Sequence, residues 1–358
     1  MITAAIIFAV TVVLITRSSL HLSDESSLIG ENPSMESECG SVLEQTVKAL
    51  SAGRVEEAAT ALSMVESLTC GEQYIIRAAE LHTEMGSHHR TLTLLNPLLA
   101  KRIPDTKVIA IYVSSLIECG MRDSASRILQ TMLPERIEDG QNVRSLAWIS
   151  LDLELNDLAV SLFTDALTRD PDDSELWRAL SQVTLRSGDP NGALRAAKQA
   201  VHLSPESINA HIALAWAAEG VNDTSLAVKS FRNALSLSPS NQTTLFEFGR
   251  YHHRAGHIAE ALEFLKRGTN NPECRYSWLM LRGRAELRAE RYDEARQTFL
   301  LANSKPERDH NALLEIARIE RKFNNFSEAR EKALEALRQF PGEKEIEVFL
   351  STLPGNTS

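Results

Sequence analysis

The sequence predicts an all-α solenoid of about nine stacked helix–turn–helix repeats, and three observations support this fold class. Within one period, apolar residues recur at helical spacing in two stretches, separated by the helix-breaking Gly188-Asp189-Pro190. Proline recurs at a fixed distance after the second stretch. Alanine recurs every 34 residues, at Ala125, Ala159, Ala193, Ala227, Ala261, Ala295 and Ala329. A fixed period of this length indicates supersecondary units that bury their apolar faces against their neighbours.

The block 174–207 shows how one unit is built. Its predicted first helix carries an apolar stripe of Trp177, Leu180, Val183 and Leu185. After the turn, the predicted second helix carries Ala193, Ala197, Ala200 and Val201. Pro205 closes the unit, because proline cannot continue a helix. Each unit is therefore expected to be a helical hairpin whose small residues let the two helices approach closely.

These residues resemble the tetratricopeptide repeat (TPR), whose pattern runs W-x2-L-G-x2-Y, then A-x3-F, then P. With the recurring alanine at position 20, phenylalanine falls at position 24 in three units: Phe163, Phe231 and Phe299. Gly249 and Gly283 take the small position 8 of the first helix. The resemblance implies a right-handed superhelical α-solenoid whose first helices line a concave face.

This pattern, placed along the chain, predicts its domain organisation. We expect a hydrophobic segment at 1–22, a flexible polar linker at 23–38, and a capping helix with a tail at 344–358. The pattern weakens toward the N-terminal units, as expected where terminal repeats cap an open stack. The solenoid, 39–343, comprises nine predicted repeats at 39–71, 72–105, 106–139, 140–173, 174–207, 208–241, 242–275, 276–309 and 310–343.

The N-terminal segment is uncharged and mostly aliphatic over residues 2–16, and Arg17 and His21 follow it. Fifteen helical residues span roughly 22 Å, less than the ~30 Å hydrocarbon core, although both cations could extend the span by snorkelling. A cleaved secretory signal and an unanchored tail or misassigned start stay open as alternatives. We expect a single-pass membrane anchor with the body on the extracytoplasmic side, while Arg17 alone favours the opposite orientation.

Composition narrows the classes of function. The chain has a formal net charge of −10, with 38 Lys and Arg against 48 Asp and Glu. This balance opposes binding of nucleic acid or anionic lipid by the bulk surface and mainly favours solubility. The sequence contains no P-loop, G-x-G-x-x-G, H-E-x-x-H, G-x-S-x-G or C-x-x-C motif. We therefore expect no enzyme activity, no cofactor, no nucleic-acid partner and no small-molecule substrate.

The cysteines and histidines offer two further candidates. Cys39 begins the first helix of repeat one and Cys70 ends its second helix, so the two residues are expected side by side. A disulfide between them would contribute on the order of 3 kcal/mol, and two unpaired small apolar residues are the alternative. His253 and His257 are four residues apart, but Gly256 ends the helix between them. We predict surface histidines there and no metal site.

The TPR resemblance implies that positions 2, 5, 9, 12 and 13 of each repeat face the groove. In the last three repeats, positions 9 and 13 hold two parallel columns of cations: Arg250, Arg284 and Arg318, with Arg254, Arg288 and Lys322. Earlier repeats add Arg144, Trp148, Arg178, Arg186 and Trp216. The helix dipole favours cations near a helix C-terminus, which explains the position-13 column alone, since position 9 is mid-helix. We predict that these eleven residues form a partner-binding groove.

Arginine binds carboxylates bidentately, and tryptophan supplies apolar anchors of the kind that dominate binding energy. The sequence therefore predicts a membrane-tethered scaffold that binds an extended acidic segment of a partner protein in this groove. The alternative is a regulatory or substrate-recruiting subunit of a cell-envelope assembly or export complex whose catalysis lies on another chain. Cross-linking pull-down from solubilised membranes would separate the two hypotheses.

Overall fold

The computed structural model describes residues 33–68, 70–100, 105–132, 140–271 and 274–354. Over these ranges it contains nineteen α-helices and no β-strand, which confirms the predicted all-α repeat class. The helices are α1 Pro33–Ser51, α2 Val55–Ser67, α3 Glu72–Glu84, α4 His88–Leu99, α5 Thr106–Glu118, α6 Arg122–Met132, α7 Gly140–Asp152, α8 Asn156–Arg169, α9 Ser174–Arg186, α10 Pro190–Leu203, α11 Ile208–Gly220, α12 Thr224–Leu237, α13 Gln242–Arg254, α14 Ile258–Gly268, α15 Tyr276–Arg288, α16 Tyr292–Asn303, α17 Asn311–Lys322, α18 Phe326–Gln339 and α19 Lys344–Ser351.

The helices pair along the chain. Each odd-numbered helix up to α17 packs against the helix that follows it, which gives nine hairpins within the described ranges. We call the two members of a hairpin its first and its second helix. The chain divides into two compact units, Met1–Asp172 (unit 1) and Asp173–Ser358 (unit 2). Unit 1 holds the four hairpins from α1–α2 to α7–α8, and unit 2 holds the five from α9–α10 to α17–α18, with α19 packed against α18.

The turn inside each hairpin contains one residue with a left-handed backbone. In unit 2 this residue is Gly188 in the first hairpin, with φ 89°, and Asn222 in the second, with φ 61°. Glycine has no Cβ to clash at positive φ, and asparagine tolerates this region better than most residues. The second helix of the first hairpin then starts with a capping carboxylate, since Asp189 accepts a hydrogen bond from the Gly192 amide at 2.8 Å. These local signals determine where the chain reverses.

The two helices of a hairpin approach closely where a small residue at position 8 meets a large one at position 24. Gly283 of α15 faces Phe299 of α16, and a Cβ built on this glycine would lie 2.5 Å from the ring atom Cε1. Gly249 of α13 faces Leu265 of α14 in the same way, at 2.7 Å from Cγ. Both large side chains are fully buried. Because protein interiors are close-packed, the pairing sets how near the helices come.

The N-terminal part of the described chain corrects one prediction. α1 begins at Pro33, so residues 33–38 are helical and the predicted flexible linker is wrong at its C-terminal end. Proline is favoured in the first turn of a helix, and the negative charge of Glu36 in that turn interacts favourably with the helix dipole. The predicted anchor at 1–22 lies outside the described residues. None of the helices in the described ranges is long and apolar enough to cross a membrane.

A disulfide joins Cys39 of α1 to Cys70, which follows α2, with their Cα atoms 6.1 Å apart. The bridge links residues 31 apart in the sequence and ties the two ends of the first hairpin together. Cys70 packs against the small core of this hairpin, which includes the buried Leu62 and Val65. On the chain-entropy model a loop of this length contributes on the order of 3–4 kcal/mol, because the bridge restricts the unfolded chain.

Candidate functional site on the first helices

Three first helices of unit 2 enclose a cavity, because α11 contacts α9 on one side and α13 on the other. We call it the groove cavity; its volume is about 430 Å³. It brings together five of the eleven residues predicted from the sequence: Arg178, Arg186, Trp216, Arg250 and Arg254. The remaining lining residues are Ser181, Gln182, Leu185, Asn209, Ile212, Ala213, Thr243 and Glu247.

Helix periodicity places these side chains on one face. Arg178, Gln182 and Arg186 follow one another at four-residue intervals on α9, and residues four apart are neighbours on a helix surface. The start of each helix is fixed by a capping side chain that accepts a hydrogen bond from a backbone amide: Asp173 for α9, Ser207 for α11 and Asn241 for α13. The lining residues of the cavity are therefore presented by three capped, regular helices.

Trp216 is the aromatic centre of the cavity and is half-buried. The guanidinium carbon of Arg250 lies 4.3 Å from the centroid of its ring, and that of Arg254 lies 5.6 Å away. The indole Nε1 donates a hydrogen bond to Glu247 Oε2 at 3.0 Å. The ring also packs edge-on against the buried Phe231, with centroids 5.5 Å apart. Its position is thus determined by packing, by a hydrogen bond and by two cation–π contacts.

The cavity lining carries four arginines and one carboxylate, Glu247. Arg250 forms an ion pair with Glu247 at 2.5 Å, and Arg254 forms one at 3.3 Å with Glu219, just outside the lining. Burial raises the pKa of Glu247, and the neighbouring Arg250 opposes that shift. Arg186 and Arg254 are the exposed cations at the edge of the cavity. Three of the four arginines, Arg178, Arg250 and Arg254, therefore form ion pairs within the chain, with Glu175, Glu247 and Glu219 respectively. Arg186 adds positive charge at the rim.

The predicted cation columns continue on α15 and α17 but are not six unpaired charges. On α17, Arg318 forms ion pairs with Glu315 of the same helix at 2.8 Å and with Glu345 of α19 at 2.6 Å. The hydrogen bond from Arg318 is the main reason why the pKa of Glu345 is lowered. Lys322 lies 5.1 Å from the ring centroid of Tyr292. Two carboxylates of the chain itself therefore already pair with Arg318, while its role in partner binding stays a prediction.

α15 presents its two predicted cations differently. Arg288 donates a hydrogen bond to the backbone oxygen of His253 at 3.0 Å, which anchors it to α13. Arg284 is exposed and lies within electrostatic range of His253, whose pKa is lowered by burial first and then by Arg288 and Arg284. Of the two, Arg284 is the more accessible to a partner.

Arg144 and Trp148 lie on α7 and belong to unit 1. Trp148 packs edge-on against Phe163 of α8, with ring centroids 5.2 Å apart. This contact repeats that of Trp216 with Phe231 in unit 2. In both hairpins a tryptophan at position 9 packs against a phenylalanine at position 24. Part of the ring surface of each tryptophan is therefore used to stabilise its hairpin and is not available to a partner.

The sequence reasoning missed the carboxylates that neutralise the arginines. Glu247 precedes Arg250 by three residues, and Glu315 precedes Arg318 by the same spacing. Side chains three apart share a helix face, so this signal was present in the sequence. It did not reveal Glu219 or Glu345, which come from other helices.

Comparison with known proteins identifies the family. The model of the tetratricopeptide repeat family matches residues 145–208, 212–274 and 280–344, together more than half of the chain. The chain belongs to the tetratricopeptide repeat family. No curated protein sequence matches it.

Solved structures with the same fold share little sequence with it. A tetratricopeptide repeat protein from Parabacteroides merdae superposes with a TM-score of 0.52 at 12% identity, over 79% of this chain and 98% of that one. The Cut9–Hcn1 hetero-tetramer of the APC/C matches with a TM-score of 0.48 at 16% identity over 90% of this chain, and this chain spans 65% of that one. YrrB, described as a TPR protein with an unusual peptide-binding site, matches over 52% of this chain at a TM-score of 0.41. At these identities the likeness concerns the fold alone.

Proposed function

We propose that this protein is an interaction scaffold that binds an extended acidic segment of a partner protein in the groove cavity of unit 2. The TPR fold supports protein–protein interaction as the general function, and TPR proteins are in general scaffolds rather than enzymes. One observation carries the finer proposal: four arginines, one carboxylate and Trp216 line one cavity of about 430 Å³.

The chemistry of the lining defines the kind of segment that fits. Leu185, Ile212 and the exposed part of Trp216 offer an apolar contact. Arg186 and Arg254 at the rim offer guanidinium groups to carboxylates on either side of it. Gln182 and Asn209 add neutral groups that bind main-chain amides. The segment that fits this lining contains one apolar residue with Asp or Glu residues on either side of it.

We expect a peptide with one leucine flanked by glutamates to bind the full chain about tenfold more tightly than its glutamine counterpart, since several exposed ion pairs each contribute ~0.2–1 kcal/mol. Fluorescence anisotropy with labelled peptides measures the difference. The advantage should disappear in 1 M salt, where the Debye length falls to ~3 Å. Equal affinities for the two peptides at low salt would contradict the proposal.

We further propose that residues 1–22 anchor the protein to a membrane, with the body on the extracytoplasmic side. The support for the anchor is the uncharged aliphatic stretch at 2–16, whose span Arg17 and His21 could extend by snorkelling. The side of the body is a separate part of the proposal, since Arg17 alone favours the opposite orientation. The full chain is expected in the membrane fraction, and a chain that begins at Pro33 is expected in the soluble fraction. Ultracentrifugation with immunoblotting tests this, and intact full-length protein in the soluble fraction would refute the anchor.

A further inference from the structure

We propose that a second cavity of unit 2, away from the groove cavity, binds a phosphate monoester through Lys229, Arg232, His252 and His257. The cavity lies between α12, which supplies the lysine and the arginine, and the junction of α13 with α14, where His252 lies in the last turn of α13 and His257 directly precedes α14. Its volume is about 670 Å³, within the range of small-molecule sites. No carboxylate is among its lining residues.

The two histidines face each other. His252 Nδ1 lies 3.4 Å from His257 Nδ1. The ring of His252 is held in place by Phe248, at a centroid distance of 4.6 Å, and by Phe264, which stacks on it at 5.6 Å with an interplanar angle of 12°. At this separation two protonated rings repel each other. An anion in the cavity would offset that repulsion, because it attracts both rings at once.

Charged groups approach His252 from each element packed around it. Arg232 of α12 and His257 of the turn disfavour its protonation, whereas Glu260 and Glu263 of α14 favour it. Burial is the largest effect and lowers the pKa of His252. A bound anion adds a negative charge on the cavity side and stabilises the protonated rings. A bound anion therefore raises the lowered pKa of His252, so anion binding is coupled to proton uptake and strengthens as the pH falls toward and below the ordinary histidine pKa.

The shape of the cavity indicates what carries the anion. The cavity has far more room than a phosphate ion fills, and Val228 and Tyr251 add apolar surface beside the four basic side chains. Ser225 supplies a hydroxyl donor at the same wall. This combination suits a phosphate group attached to an organic moiety better than the free ion. The moiety is that of a soluble phosphate monoester or of a lipid with a monoester headgroup.

Sulfate tests the anion site, because it stays doubly charged at all the pH values used. We expect saturable shifts of the His252 and His257 ring proton signals of the full chain in NMR when sulfate is titrated against chloride at constant ionic strength. Affinity should be about tenfold higher at pH 6 than at pH 8, since at least one proton is taken up on binding. The double variant Lys229→Ala/Arg232→Ala should lose the saturation, and the matched variant Arg195→Ala/Lys198→Ala on α10 should keep it. Absence of saturation, or equal loss in both variants, would overturn the proposal.

Phenyl phosphate tests whether the ligand carries an organic moiety on its phosphate group. We expect phenyl phosphate to bind more tightly than sulfate and therefore to displace it at a concentration below that at which sulfate half-saturates the site. Equal or weaker binding would overturn the monoester assignment. Vesicles that contain phosphatidic acid separate the two sources of the group. Vesicle binding that is weakened by Lys229→Ala/Arg232→Ala supports a lipid headgroup. Absent vesicle binding, or vesicle binding that is unchanged by this variant, alongside displacement by phenyl phosphate, supports a soluble monoester.

Discussion

The double replacement Arg186→Glu/Arg254→Glu is expected to weaken binding of the acidic peptide about a hundredfold, since two reversals each turn an attraction of up to ~1 kcal/mol into a similar repulsion. Both residues lie at the rim of the groove cavity, and both are exposed. Arg250 is left unchanged because it pairs with the half-buried Glu247 and lies closer to the Trp216 ring, so its replacement would disturb the floor of the site. Arg254 also pairs with Glu219 and contacts Trp216, but it is the more exposed of the two arginines. Fluorescence anisotropy with the peptide measures the loss.

The matched control is Arg195→Glu/Lys198→Glu on α10. This variant makes the same change in net charge at exposed positions that do not line the groove cavity. Thermal unfolding should change little in either variant, because exposed substitutions usually shift stability by no more than ~0.5 kcal/mol. If the two variants bind the peptide equally well, the partner does not bind at this cavity.

The peptide and sulfate binding assays, applied to both double variants, also show whether the two proposed sites of unit 2 act independently. Both cavities use α13, but no residue lines both of them. The groove cavity takes its other lining residues from α9 and α11, and the phosphate monoester cavity takes its others from α12 and from the turn after α13. Arg186→Glu/Arg254→Glu should therefore leave sulfate binding at His252 and His257 intact. Conversely, Lys229→Ala/Arg232→Ala should leave peptide binding intact. Loss of both activities in one variant would indicate a change of fold rather than of either site.

Much of the fold follows from short-range signals in the sequence. The alanine period, the left-handed turn residue such as Gly188, and the capping Asp189 are all local, so they can be recognised without knowing the tertiary structure. The small residue at position 8 was also visible, in Gly249 and Gly283. What this small residue contacts became clear only in the structure, where Phe299 and Leu265 fill the space.

The charges of the site were harder to predict, because ion pairs form between helices distant in sequence. Glu345 reaches Arg318 from the last helix, 27 residues further along the chain. Position 11 gives a second example, because its carboxylates Glu286 and Glu320 are fully buried. Arg282 and Thr298 donate hydrogen bonds to Glu286, at 2.9 and 2.7 Å. A buried carboxylate is tolerated only with such partners, and the amphipathic pattern does not reveal them.

The second large effect concerns the close contact between α15 and α16. Phe299→Ala is expected to destabilise the protein by about 3–5 kcal/mol, because it removes a fully buried ring and leaves a cavity. Gly283→Ala alone is also expected to destabilise, by about 1–3 kcal/mol, since its Cβ would lie 2.5 Å from the ring. Urea unfolding followed by circular dichroism measures both changes.

Combining the two changes should reverse the sign of the stability change that Gly283→Ala causes. In the Phe299→Ala background the ring is gone, so the methyl group that Gly283→Ala adds enters empty space. Alanine then stabilises the middle of α15 by up to about 1 kcal/mol relative to glycine. Gly283→Ala is thus expected to raise the urea midpoint of the Phe299→Ala variant while it lowers that of the wild type. Such a reversal is the signature of two side chains in direct contact.

Gly249→Ala provides the matched control for this reversal. Gly249 occupies position 8 of another hairpin, where its Cβ would meet Leu265 at 2.7 Å and not Phe299. Its replacement should therefore destabilise the wild type and the Phe299→Ala variant by similar amounts, as expected for sites without shared contacts. If Gly283→Ala also destabilises the Phe299→Ala variant, position 8 requires glycine for a reason other than the ring. The close approach of the two helices would then have to be attributed to their backbones rather than to the pairing of positions 8 and 24.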